Sequence, residues 1–220
     1  MQYYPIFLDL STYPCLVVGG GQVAERKVEP LLQARAQVTV ISPALTPRLQ
    51  CWAADQVITV HERLYRPGDL SGFALVFAAT DDEELHRQVA AEARAAGVFL
   101  NVVDRPALCS FIVPAVISQG DLTLAISTGG ASPALAKKIR LALEQSFGPE
   151  YGVALQLLAR VREWVTQSGL TAAERQRLFT ALVDSPLLDY LRERRIDKLN
   201  ALLHQTVGDT CTIERLGLSL

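Results

Sequence analysis

The four cysteines, Cys15, Cys51, Cys109 and Cys211, include no C-x-x-C pair, and His61, His86 and His204 are just as dispersed. No H-E-x-x-H occurs either, so no metal site is expected, and the thiols read as reduced and mostly buried. Long apolar runs are missing too, with nothing near the ~18 residues of a membrane span. Met1-Gln2-Tyr3-Tyr4-Pro5 sets no basic region ahead of an apolar one, as a secretory signal would. The expectation is a soluble, cytoplasmic chain without a membrane partner. Net charge is nearly absent as well: 21 Lys+Arg against 23 Asp+Glu leave −2. A general nucleic-acid binder draws its affinity from a basic surface, so that class is not expected.

What is present is the material of a packed core. The 220 residues are 50% hydrophobic and 20% charged, enough for one medium domain or two small ones. Cys15-Leu16-Val17-Val18 is a continuous apolar run, the mark of a strand buried on both faces. A helix carrying Ala24, Val28, Leu31 and Leu32 on one face follows, then strands at Val38–Ile41, Val57–Val60 and Phe73–Ala78. A helix from about Asp82 to Ala96 and a fifth strand at Phe99–Val103 complete an α/β alternation. Its economical arrangement is a Rossmann-like parallel sheet with crossover helices. After Pro106 the pattern changes: Gln119-Gly120-Asp121 between apolar runs reads as a hairpin. Ser132-Pro133, Thr171–Glu174 and Ser185-Pro186 then open helices. The expected organisation is an α/β domain over 1–113, a hairpin-helix segment over 114–148, a helical domain over 149–208 and an aperiodic tail over 209–220.

Gly19-Gly20-Gly21-Gln22-Val23-Ala24 fits G-x-G-x-x-A between a predicted strand and a predicted helix. Glycine is needed there so that the backbone can turn tightly and approach a pyrophosphate, which the helix amides and dipole stabilise. Gly19, Gly21, Gln22 and Val23 are therefore candidate cofactor-binding residues. The acidic residue that usually grips the ribose, about 20 residues on, is replaced by Ser42, followed by Pro43 and Ala44. These three are placed beside the cofactor, leaving open whether NAD or its 2′-phosphorylated form is preferred. Thr80, after the fourth strand, is placed near the nicotinamide-side ribose, while Asp81 and Asp82 read as helix caps. Asp104 ends the fifth strand, where ligands lie in open α/β sheets; it reads either as a chemical group or as a turn cap before Arg105-Pro106. Ser127-Thr128-Gly129-Gly130 enters a helix start that suits an anion, with Lys137 and Lys138 read as a solvated face.

Taken together, Cys15–Lys27 (CLVVGGGQVAERK), Ala78–Asp82 (AATDD), Asn101–Asp104 (NVVD), Ser110-Phe111-Ile112 and Ser127–Pro133 (STGGASP) resemble the precorrin-2 dehydrogenase family. This is the module that also forms the N-terminal part of siroheme synthase. The resemblance runs from about Pro5 to about Leu203. It implies NAD-dependent oxidation of precorrin-2 to sirohydrochlorin, with Asp104 as the catalytic base. For some members it also implies ferrous iron insertion, with iron as a substrate, and a homodimer. It assigns the tetrapyrrole carboxylates to Ser127, Thr128, Gly129 and Gly130. Pro30 inside the first helix and Arg35 in place of a glycine helix stop depart from the pattern. The rival reading is a nucleotide-sensing regulatory module without turnover. Such sensors usually keep the ribose acid and lack N-V-V-D followed by S-T-G-G-A-S-P.

Overall fold

The computed structural model describes residues 3–218. They form two compact units, one ending at Val113 and the other beginning at Pro114. In the first, β1 (Pro14–Val18), β2 (Gln37–Ile41), β3 (Thr59–His61), β4 (Leu75–Ala78) and β5 (Phe99–Val102) make the expected parallel sheet, in the order β3-β2-β1-β4-β5. Helices cover both faces, which is why β1 shows no polar alternation. Cys15 and Val17 pack with Ala24, Val28 and Leu31 of α1 (Gln22–Gln33) and Leu49 of α2 (Pro47–Ala54). Leu16 and Val18 pack with Val89 and Ala93 of α3 (Glu83–Ala96).

Two local features differ from the sequence reading. Helix α2 was not expected; Thr46 caps it, its hydroxyl accepting the Leu49 N–H at 3.3 Å, and Pro47 starts it. The third strand begins at Thr59 and not at Val57, because the N–H groups of Val57 and Ile58 both go to the Trp52 carbonyl, at 2.8 and 3.3 Å. The departures in α1 are absorbed. The helix continues through Pro30 to Gln33, and Arg35 takes the left-handed conformation itself, at φ +59°. Arg35 N–H then bonds Leu32 O at 2.9 Å and Ala36 N–H bonds Leu31 O at 3.0 Å, the paired bonds of a Schellman end without its glycine.

In the second unit, β6 (Ala115–Gln119) and β7 (Leu122–Ile126) form an antiparallel hairpin closed by Gly120-Asp121, with Gly120 at φ +59°. The helices that follow are α4 (Pro133–Ser146), α5 (Pro149–Thr166), α6 (Ala172–Val183), α7 (Leu187–Arg192) and α8 (Ile196–Thr206). The hairpin turn lies so close to α5 that a Cβ on Gly152 would stand 2.7 Å from the Gln119 carbonyl oxygen. Leu157, Val161, Leu182, Leu199 and Leu203 form the core of this unit. The aperiodic residues after Gly208 belong to the same core, burying Cys211, Ile213 and Leu216. Helix α4 differs from its neighbours. Of its stripe Leu135, Ile139 and Leu143, none is buried in the single chain, and Leu135 is 49% exposed.

Pro30 is exposed and lacks the N–H that would bond the Arg26 carbonyl. Replacing it with alanine, Pro30→Ala, is expected to raise unfolding stability by about 1–3 kcal/mol; an unchanged urea midpoint would contradict this.

Candidate functional site

The ladder aligns the ends of the strands. Val18 pairs with Ile41 and Ala78, and Ala78 pairs with Val102, so the residues after β1, β2, β4 and β5 emerge together at one edge. The order of strands reverses between β1 and β4, the switch point at which open α/β sheets bind ligands. Gly19–Val23 leave β1 there, Ser42–Ala44 leave β2, Thr80 follows β4 and Asp104 follows β5. The edge thus gathers every first-unit site residue expected from the sequence.

The three glycines have different jobs. A Cβ on Gly19, at φ +119°, would meet the Ala79 carbonyl oxygen at 2.2 Å, and one on Gly20 would meet the Ala44 carbonyl oxygen at 2.0 Å. Both are required by backbone packing within the protein. A Cβ on Gly21 meets nothing within 4 Å and φ is −83°, so neither packing nor conformation demands glycine. No side chain caps α1 at Gly21, as none caps α5, α7 or α8, but a Cβ at the glycine that opens α5, Gly148, would meet the Glu150 carboxylate whereas one on Gly21 would meet nothing. Uncapped amides beside open space at a helix start fit a phosphate.

A cleft of about 240 Å³ lies beside this loop, lined by Val23, Ala79, Thr80, Asp81, Glu83, His86, Val103, Asp104 and Arg105. Asp104 has φ +58°. Arg35, Gln56 and Arg194, the other described non-glycine residues with positive φ, all end helices through paired backbone bonds. Asp104 instead occupies a turn closed by Arg105 N–H to Val102 O at 3.3 Å. Its exposed carboxylate makes no hydrogen bond or ion pair among the described residues, so it caps nothing. Arg105 is paired with Glu83 across the cleft mouth. Behind the cleft, the Lys27 ammonium lies 5.5 Å from the centre of the Phe77 ring. Burial, with the neighbouring Arg26 charge, lowers the Lys27 pKa below the ordinary lysine value, while Asp104 and Cys109 act in the opposite sense. The Ser110-Phe111 segment braces β5: Ser110 Oγ accepts the Leu100 N–H at 2.8 Å, and the Phe111 ring meets those of Phe77 and Phe99 edge-on.

Ser42 is buried and its hydroxyl donates to the Ala44 carbonyl at 2.7 Å, which folds Ser42-Pro43-Ala44 into a tight turn facing Gly20. Arg48 is committed to Glu25 and Glu29, and Arg63 to Asp69. Of the two aspartates read as caps, Asp82 is one, accepting from Glu84 and Leu85 N–H at 2.9 and 3.0 Å, whereas the Asp81 carboxylate accepts from no described residue. In the second unit, Thr128 Oγ1 accepts from Ser132 N–H at 3.1 Å and donates to Ser132 O at 3.0 Å, while Ser127 Oγ accepts from Gly129 N–H. These bonds knot the Ser127–Gly130 loop, with Gly129 and Gly130 both at positive φ. Lys137 and Lys138 are exposed, and Arg140 pairs with Glu144. The sequence reading did not include His86 or Lys27 in the site. His86 shares the apolar face of α3 with Val89 and Ala93, and that position was the available signal.

An uncapped glycine turn at the switch point of a parallel sheet defines a Rossmann-type nucleotide-binding protein. Residues 6–115 match the family described as "Putative NAD(P)-binding", and residues 119–146 match "Sirohaem biosynthesis protein central". The chain belongs to this NAD(P)-binding family, in the branch that carries the sirohaem biosynthesis segment. It is 43% identical over 176 residues to the siroheme synthase of Methylobacillus flagellatus, covering 80% of this chain and 38% of that protein. It is 44% identical over 179 residues to the siroheme synthase of Nitrosococcus oceani, covering 81% and 38%. The chain thus spans less than half the length of these relatives. Among solved structures it resembles SirC, precorrin-2 dehydrogenase, with TM-score 0.78 and 27% identity over 93% of this chain and 99% of that one. The residues present fit a nicotinamide dinucleotide: the amides of Gly21, Gln22 and Val23 have no acceptor among the described residues, and a Cβ on Gly21 would meet nothing.

A side chain at Gly21 would fill that space without touching the protein. Gly21→Val is expected to weaken NAD+ binding at least about tenfold, the scale of losing anion contacts to helix amides, while the unfolding transition stays near that of the wild type. Equal affinity in a calorimetric titration would refute the assignment.

Proposed function

We propose that the chain oxidises precorrin-2 to sirohydrochlorin with NAD+ as the acceptor, and that ferrous iron is then inserted as a second substrate at the same carboxylate. The observation that carries this reading is Asp104, an unpartnered carboxylate in a left-handed turn beside the cofactor cleft. Aspartate tolerates that conformation, and here it does so without spending its carboxylate on the turn. Support also comes from the enzyme names of the relatives, none of which is a sensor.

Oxidation of the reduced tetrapyrrole removes a hydride and a proton. When bound, the nicotinamide supplies the hydride acceptor. The amides of Gly21, Gln22 and Val23 hold the dinucleotide, Thr80 orients its nicotinamide half, and Asp104 takes the proton. Iron insertion releases two pyrrole protons, and Asp104 is the acceptor available for them. Arg105 is neutralised by Glu83, so it does not compete for the Asp104 charge. NAD+ is preferred over its phosphorylated form because Arg48 and Arg63 are already paired and Ser42 is spent on its own turn. The hydroxyl proton of Ser127 and the amide of Gly130, which no described residue engages, receive substrate carboxylates. The working form is a homodimer that covers the open apolar stripe of α4 and the exposed Val116 of β6.

Asparagine tolerates the left-handed region about as well as aspartate does, so Asp104→Asn preserves the turn while removing basicity. Under anaerobic conditions with precorrin-2, NADH formation is expected to fall at least about a hundredfold, with NAD+ affinity and melting temperature unchanged. Iron insertion into supplied sirohydrochlorin is expected to fall with it. Near-normal turnover in this variant would remove Asp104 from the chemistry. For the dimer, light scattering is expected to give twice the mass of one chain, and Leu135→Glu to shift it toward the monomer; a wild-type monomer at micromolar concentration would contradict the proposal.

A further inference from the structure

His86 is the described histidine that the fold buries, at 5% exposure, and it lines the cleft that holds Asp104 and Thr80. Its Nε2 lies 3.2 Å from Thr80 Oγ1, and its Nδ1 is buried without a partner. Orphaned buried N–H groups are rarer than under-satisfied acceptors, which favours the tautomer with the proton on Nε2, donated to Thr80. The Asp82 N–H also points to Thr80 Oγ1, at 3.4 Å. A hydroxyl has two acceptor lone pairs and one proton. With both lone pairs engaged, Thr80 has only its proton to offer, and no described residue accepts it. The methyl side of Thr80 faces the glycine loop, where a Cβ on Gly19 would lie 3.3 Å from Thr80 Cγ2.

We propose that His86 is a positioning residue that makes Thr80 an obligate hydrogen-bond donor, so that the cleft grips an acceptor oxygen on the nicotinamide half of the cofactor. This deepens the dinucleotide reading above and rests on it. Without His86 the Thr80 hydroxyl regains a free lone pair and a second rotamer, and its donation to the ligand is no longer enforced. A cleft set in this way favours a ligand with a carbonyl or hydroxyl oxygen at that point over one presenting a donor. The adenosine diphosphate half of the cofactor, held by the Gly21–Val23 amides, does not depend on His86.

The test is a set of direct binding titrations, with NADH and ADP as separate probes. Both His86→Leu and Thr80→Val are expected to weaken NADH about fivefold to tenfold, the scale of one lost hydrogen bond, and to leave ADP within about twofold. Because His86 acts through Thr80, the double variant is expected to bind NADH no worse than Thr80→Val alone, within about twofold. His86→Gln, which can return a donor to Thr80, is expected to recover most of the affinity. Unchanged NADH affinity in His86→Leu, additive losses in the double variant, or an equal loss for ADP would each overturn the inference. Absence of NADH binding in the wild-type protein would instead overturn the dinucleotide reading itself, and this inference with it.

Discussion

Two backbone hydrogen bonds at the carboxyl edge of the sheet govern what lies above it. Gly19 N–H bonds Ile41 O at 2.9 Å and Ala79 N–H bonds Val18 O at 2.8 Å, extending the ladder one residue past β1 on both sides. They draw the exits of β2 and β4 against the glycine loop until no Cβ fits at Gly19 or Gly20. The start of α1 is thereby fixed with its amides facing outward. The cleft beside Thr80 and the carboxylate after β5 sit on the same edge because Ala78 and Val102 are paired neighbours. Binding sites built on such rigid strand ends lose little to reorganisation.

Two carboxylates that line the cleft, Asp81 and Asp104, have no partner among the described residues. Glu83 engages Arg105, Glu25 and Glu29 engage Arg48, and Asp69 engages Arg63. Most of these pairs are well exposed and contribute little to stability. Their consequence is chemical: they remove the cations that would otherwise neutralise Asp104 or attract a further phosphate. Lys27 is different, since its ammonium is half-buried against Phe77 and within electrostatic reach of Asp104. The same edge therefore holds uncommitted carboxylates beside one poorly solvated cation.

The second unit divides its apolar surface unequally. Helices α5 to α8 close on a core of leucines with Cys211, Ile213 and Leu216 folded into it, while α4 keeps its stripe open. Removing a fully buried leucine such as Leu157 or Leu203 typically costs about 2–5 kcal/mol. The exposed Leu135 contributes to the single chain far less than that. An apolar stripe retained without internal burial is material for an interface.

The parallel sheet was legible because each strand is a short apolar run and the crossovers α1 and α3 each carry a 3.6-residue pattern. Gly19–Val23 was legible because its spacing stands between them. Asp104 could be placed at a strand end from the sequence, but its left-handed turn and its lack of any partner could not. Helix α2 was hidden among prolines, and the start of β3 was displaced by the Trp52 carbonyl, which is a contact between neighbouring elements and leaves no periodic trace. The aperiodic residues after Gly208 gave no sign that Cys211 and Ile213 would be buried. His86 was visible only as one dispersed histidine. Periodicity and glycine spacing are properties of neighbouring residues, so the chain itself determined the elements and the phosphate turn. Which donor is spent, which carboxylate is left over and which histidine meets Thr80 depend on atoms brought together across strands, and only the tertiary structure decided them.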